Sequence, residues 1–168
     1  MKAPLIIAVT ALTLGACGAK PTAAADAKAV GAKAAGAAFL ADNRKQAGVV
    51  TTPSGLEYRI LKSGPVSGLH PKPADEVKVD YDAKLLDGTV VDSSFDRGSP
   101  AVLTVRDLIP GWREALQLMR PGDDWLLYVP AKLAYGDQAT GPIPAGSVLQ
   151  FHLHLIAIAP DSSSVGAG

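Results

Sequence analysis

The sequence predicts an α+β domain in which several antiparallel strands wrap one short helix. Three observations predict it. Val77, Val79, Tyr81, Ala83 and Leu85 alternate with Lys78, Asp80, Asp82 and Lys84, the pattern of a strand with one face in a core. Asp87-Gly88 follows at once, a strong hairpin signal, and Thr89 to Asp92 forms the return arm. Ile109, Trp112, Leu116 and Met119 then recur near helical spacing, which puts a helix from about Pro110 to Met119. Proline suits its first turn, where a missing N–H costs nothing, and Pro121-Gly122 stops it.

The other elements follow in order. Thr52-Pro53-Ser54-Gly55 is a turn signal, and Leu56 to Lys62 reads as a strand. Lys62 to Pro73 is a Gly- and Pro-containing loop, and Ala101 to Val105 is a further short strand. Trp125, Leu127 and Val129 alternate on the strand after the helix. Pro130 to Gly146 is a long loop broken by Gly136, Gly141, Pro142 and Pro144. Val148 to Ile158 is the last strand, with Leu149, Phe151, Leu153 and Leu155 facing in and His152 and His154 facing out. The domain is expected over 49–159, and the Ser/Gly-rich residues 160–168 form a disordered tail.

Ahead of the domain the chain is different. Residues 1–16 carry one early charge, Lys2, and then an uncharged stretch too short to span a membrane, which needs ~20 apolar residues. They read as a signal peptide. It ends Leu14-Gly15-Ala16-Cys17, which resembles the bacterial lipobox, whose cysteine is lipidated and becomes the new N-terminus. Residues 17–48 form either a tether or a short helical arm; within them Ala19 to Ala38 is Ala-rich with almost no large apolar side chains.

Composition excludes several function classes. Lys+Arg and Asp+Glu both number 16, without the clustered positive charge of a nucleic-acid partner. One cysteine rules out an intramolecular disulfide and a multi-thiolate metal site. His152 and His154 share a strand face and no carboxylate or thiol cluster is expected nearby, so no metal site is expected. Ser93 and Ser94 lie outside any Gly-x-Ser-x-Gly elbow, which argues against a hydrolase.

One set of motifs, in order, covers residues 49 to 158. It comprises Val79-Asp80-Tyr81, Leu86-Asp87-Gly88-Thr89, Val91-Asp92-Ser93-Ser94, Ile109-Pro110-Gly111-Trp112, Ala134-Tyr135-Gly136, Ile143-Pro144 and Leu149-Gln150-Phe151. In this order and spacing they resemble the FKBP-type peptidyl-prolyl cis-trans isomerases. Phe39-Leu40-Ala41 and Thr51 to Leu56 resemble the secreted bacterial, macrophage infectivity potentiator-like branch. That resemblance implies a five- or six-stranded antiparallel sheet curled around the helix, with an apolar pocket between them. Trp112 would be the pocket floor, and Tyr81, Leu108, Ile109 and Phe151 its walls. Asp92 and Tyr135 would be its polar groups, Arg97 the partner of the aspartate, and Ile143 part of a covering flap. Two rim positions depart from the family pattern: Val91 stands where phenylalanine is usual, and Ala101 where an aromatic is expected. A wider rim, less able to exclude water, is therefore expected.

The resemblance also implies what the chain meets. Substrates would be proline-containing unfolded or nascent exported proteins, and macrolides would be inhibitors. No cofactor or metal is required. The branch often dimerises through a long helical region, which is here reduced to at most a short arm. A lipid on Cys17, followed by Gly18, would hold the chain at the periplasmic face of the outer membrane.

Overall fold

The structure is a computed structural model that describes residues 23–159. Cys17, the signal segment and the 160–168 tail lie outside the described residues. The chain opens with helix α1 (Ala23–Asn43). Seven strands follow: β1 (Val49–Thr51), β2 (Glu57–Lys62), β3 (Glu76–Leu85), β4 (Val90–Ser93), β5 (Ala101–Thr104), β6 (Asp124–Val129) and β7 (Leu149–Ala159). A four-residue helix, α2 (Ser94–Arg97), separates β4 from β5, and α3 (Pro110–Leu118) separates β5 from β6.

All strand pairs are antiparallel, in the order β1-β2-β6-β7-β3-β4. The sheet has one strand more than the family resemblance implies, because the three-residue β1 pairs with the start of β2. β3 is the organising strand. β7 pairs with its whole length on one side. On the other side β5 takes Glu76 to Val79 and β4 takes Asp82 to Lys84. Asp80 and Tyr81 fall in the gap between these two ladders, where α2 crosses.

Burial follows the alternation read from sequence. Val77, Val79, Tyr81 and Ala83 of β3 point inward, as do Leu149, Phe151, Leu153 and Leu155 of β7. They meet the apolar face of α3, built by Trp112, Ala115 and Leu116. Gly111 lets that helix approach the sheet closely. A Cβ there would sit 2.5 Å from Val129 Cγ1, a distance real side chains do not tolerate. On the outer face, His152 Nε2 lies 2.6 Å from Asp124 and its Nδ1 lies 3.7 Å from Asp82. Carboxylates thus do stand beside it, delivered by the neighbouring strands. Among the described residues, however, no group of three or more His, Cys, Asp or Glu is arranged to hold a metal ion.

The Ala-rich segment is a helix that lies against the domain. Leu40 packs with Tyr128 and Val148, joined by Phe39, Leu86 and Leu126. Among the described residues no helix is long and apolar enough to cross a membrane. The C-terminal end of α1 is keyed to a fully buried carboxylate: Asn43 Nδ2 donates to Glu57 Oε2 at 2.8 Å, and Arg44 Nε stands 3.5 Å from Oε1. A buried carboxylate that loses a donor keeps its desolvation cost, about 1–3 kcal/mol or more. Asn43→Ala should therefore lower stability by about 2 kcal/mol in denaturant titration, and Glu57→Gln combined with it should restore part of that loss.

Candidate active site

The site is assembled where β3, β4 and α2 meet α3. Ser93 caps α2, accepting from Asp96 N at 3.2 Å, and Gly98 ends it in the left-handed region at φ 72°. This tight turn brings Arg97 back over Asp92, five residues earlier in the chain. Arg97 Nη1 donates to Asp92 Oδ1 and Arg97 Nη2 to the Tyr81 hydroxyl at 2.9 Å. The Tyr81 hydroxyl donates to Asp92 Oδ2 at 2.5 Å, and Ser93 N donates to Oδ1 at 2.9 Å. Both carboxylate oxygens are thus engaged. The guanidinium also lies 5.3 Å from the Tyr81 ring centre, within cation–π range.

A serine that the sequence reading left without a role holds this arrangement in register. Ser94 Oγ accepts from Tyr81 N at 2.9 Å and donates to Asp80 Oδ1 at 2.9 Å, filling the gap in the β3 ladder. Its signal in the sequence is the Asp92-Ser93-Ser94 run, in which short polar side chains favour caps and local backbone bonds.

The floor is aromatic. Trp112 meets Tyr81 edge-on, with centroids 5.0 Å apart and planes at 89°. It meets Phe151 similarly, at 5.3 Å and 78°. Its indole N–H is buried without an acceptor among the described residues, an unpaired donor in an otherwise apolar floor. Leu108, Ile109 and Ile143 belong to the same buried cluster, and Val91, Ala101 and Tyr135 pack against it half-buried. With the small residues Val91 and Ala101 half-buried against it, the floor is itself fully buried. Trp112 is 0% exposed and Ile143 only 2%, because Ile143 and Tyr135 close against the same cluster.

The electrostatics follow from this packing. Burial, and next the bond to Asp92, push the Tyr81 hydroxyl far above the ordinary tyrosine value. Burial, and next the negative charge of Asp92, push Tyr135 upward too. Both phenols are therefore donors throughout the physiological range. For Arg97 burial opposes the charge, but Tyr81 and Asp92 together outweigh it and hold the pKa above its usual value. The Tyr135 hydroxyl makes no hydrogen bond with another described residue, so it is an uncommitted donor beside this cluster.

Comparison with known proteins fits this geometry. The family model for FKBP-type peptidyl-prolyl cis-trans isomerase matches residues 68–156. The model for the domain amino terminal to that isomerase matches residues 9–60. The outer membrane protein MIP of Legionella longbeachae is 46% identical over 141 residues, which are 83% of this chain and 60% of that protein. The FKBP-type isomerase FkpA of Aeromonas hydrophila is 47% identical over 134 residues, 80% of this chain and 49% of its own length. The chain thus spans about half to three-fifths of these relatives. Crystal structures agree: FkpA from Escherichia coli superposes with TM-score 0.78 at 34% identity, covering 82% of this chain and 64% of that one. The isomerase from Pseudomonas syringae pv. tomato superposes at 0.70 with 30% identity, covering 78% of this chain and 96% of that one. On these matches the chain belongs to the family of FKBP-type peptidyl-prolyl cis-trans isomerases.

Proposed function

We propose that this chain accelerates the cis–trans rotation of X-Pro bonds in exported polypeptides, without covalent chemistry. The observation that supports this best is the pairing of a buried, Trp-floored apolar cluster with the Tyr81–Asp92–Arg97 network at its edge. Rotation about the peptide bond faces a barrier of ~18–20 kcal/mol, set by its double-bond character. The twisted amide has lost resonance and is less polar than the planar one. An apolar well that closes over the prolyl ring therefore favours the twisted form over the hydrated, planar one. Trp112, Ile109 and Phe151 supply that surface, and Val91, Ala101, Leu108 and Ile143 complete it.

Asp92 acts through Tyr81. Its oxygens already accept from Tyr81, Arg97 and Ser93, so most of its acceptor capacity is committed within the protein. It fixes the Tyr81 ring against Trp112 and sets the field at the rotating carbonyl. Tyr135 donates to a substrate carbonyl when the flap carrying Ile143 closes. The direct test is a cis-to-trans assay on short X-Pro peptides: isomerisation should be far faster than the uncatalysed ~10–100 s relaxation. A chain that binds such peptides without speeding their relaxation is a binding module instead. Tyr135→Phe should lower kcat/KM by at most about ten-fold, because a neutral hydrogen bond nets ~0.5–1.5 kcal/mol. The same well is the place where a macrolide would bind and compete.

Location completes the proposal. The small residues before Cys17, and the naming of the Legionella relative as an outer membrane protein, support lipidation of Cys17 and anchoring in the cell envelope, facing the periplasm. Cys17→Ser should then move the protein from the membrane to the soluble fraction with unchanged isomerase activity. Mass spectrometry of envelope fractions that finds an unmodified, soluble wild type excludes the anchor. Dimerisation, which the branch achieves through a longer helical region, is not needed for the well as built.

A further inference from the structure

A second cavity lies beside the well. Its volume is about 380 Å³, inside the ~300–1,000 Å³ range of small-ligand pockets. Three segments wall it. Helix α1 contributes Ala32 and Ala35, the β3–β4 hairpin contributes Leu86 and Thr89, and the loop after Tyr135 contributes Pro142 and Pro144. The walls are largely apolar. Lys28 of α1 and Asp87 of the hairpin also line it, close enough to interact.

Two of these segments are shared with the well. Pro142 and Pro144 line the cleft, while Ile143 between them packs in the cluster that contains Trp112. Thr89 lines the cleft, while Val91, two residues on, packs against that same cluster and Asp92 carries the polar network. A strand advances ~3.3 Å per residue, so cleft and well are only ~7 Å apart along the chain. β4 is also the end strand of the sheet, and among the described residues its outer edge carries no strand partner. Such an edge offers backbone donors and acceptors to an extended peptide.

The third wall is fixed. Gly36 of α1 meets Val148 so closely that a Cβ there would lie 2.6 Å from Val148 Cγ2. Gly146 meets Lys33 in the same way, at 3.2 Å from its Cβ. Lys33 Nζ also pairs with Asp137, two residues beyond Tyr135, at 3.3 Å. The flap loop is pinched at its base by the bond from Gly146 N to Gly136 O, 2.8 Å long. Helix α1 therefore rests on the base of the loop that carries both Tyr135 and Ile143.

We propose that this cleft is a second polypeptide site, taking the uncharged, extended residues that flank the proline being rotated. The proposal rests on the isomerase reading of the well. A chain leaving the well along β4 meets strand-edge backbone first, then apolar walls from the flap and α1. Charged residues at these positions would be disfavoured, because the cleft's walls are largely apolar.

The test uses the full chain and the variants Ala35→Glu and Thr89→Glu, which put a carboxylate into opposite walls at exposed positions. Tetrapeptides with one X-Pro bond are compared with the same peptides extended by Val-Leu-Val on either side. On wild type, extension on one side should lower KM by about five- to ten-fold, as expected for burying one or two apolar side chains. Either glutamate should remove that gain and leave tetrapeptide kcat/KM within two-fold of wild type. No gain from either extension, or a gain that survives in both variants, overturns the proposal. Fluorescence anisotropy of a labelled extended peptide reads the cleft independently of turnover. If tetrapeptides are not isomerised at all, the isomerase reading fails, while weaker binding of that peptide to Ala35→Glu still upholds the cleft and equal binding rejects it.

Discussion

Trp112→Ala should cost the domain about 3–5 kcal/mol of stability, the usual range for removing a fully buried tryptophan. Native domains hold only ~5–15 kcal/mol in total, so this loss brings the protein close to unfolding at 37 °C. The reason is local: the indole lies at the centre of the cluster, packed edge-on to both Tyr81 and Phe151. Truncation removes the floor beneath the prolyl ring and frees Tyr81 to tilt. Thermal unfolding measures the first effect. Trp112→Phe separates the second, since it keeps an aromatic core residue; its kcat/KM should fall while most of the stability remains.

Asp92→Ala should reduce kcat/KM by roughly ten- to hundred-fold, because hydrogen bonds to charged groups are worth ~1.5–3 kcal/mol. Three donors lose their acceptor at once: the Tyr81 hydroxyl, the Arg97 guanidinium and Ser93 N. Arg97 is partly exposed, so water recovers some of its charge, and the stability loss should stay near ~1–3 kcal/mol. Combining Asp92→Ala with Arg97→Leu should return part of the stability and none of the activity. Stability measurements beside peptide kinetics distinguish the two contributions. Equal activity in Asp92→Ala and wild type would remove the network from the mechanism.

The regular elements were legible because their periods are. The alternation in β3 and β7 needs one face in a core, and the Ile109–Trp112–Leu116 spacing needs a helix beneath it. The short pieces were not. β1 has three residues and exists only because β2 pairs with it, and α2 is four residues long with no period to read. Helix α1 was ambiguous for a different reason. Alanine favours helix, but without an apolar stripe nothing in the composition says whether the segment rests on anything. What settles its placement is tertiary: Gly36 against Val148, Leu40 against Tyr128, and Asn43 on Glu57. A buried Glu57 runs against the ordinary exposure of carboxylates, so a single strand pattern could not show it.

The site divides in the same way. Tyr81, Asp92, Arg97, Trp112 and Phe151 were picked out by family motifs, and the fold brings them together. No local pattern joins Tyr81 to Arg97 across sixteen residues. The role of Ser94 is visible only once β4 and β5 are seen to leave a gap along β3. Val91 and Ala101 stand out only against the family pattern, and both pack half-buried against the cluster that holds Trp112 and Ile143.

The most direct measurement is exchange NMR on a peptide that populates both X-Pro isomers at equilibrium, with the protein far below stoichiometric amounts. The account predicts that wild type speeds the interconversion while the cis-to-trans ratio stays constant, that Asp92→Ala loses most of this acceleration, and that a macrolide abolishes it. An interconversion rate unchanged by wild-type protein, or a cis-to-trans ratio that shifts without any gain in rate, would contradict it.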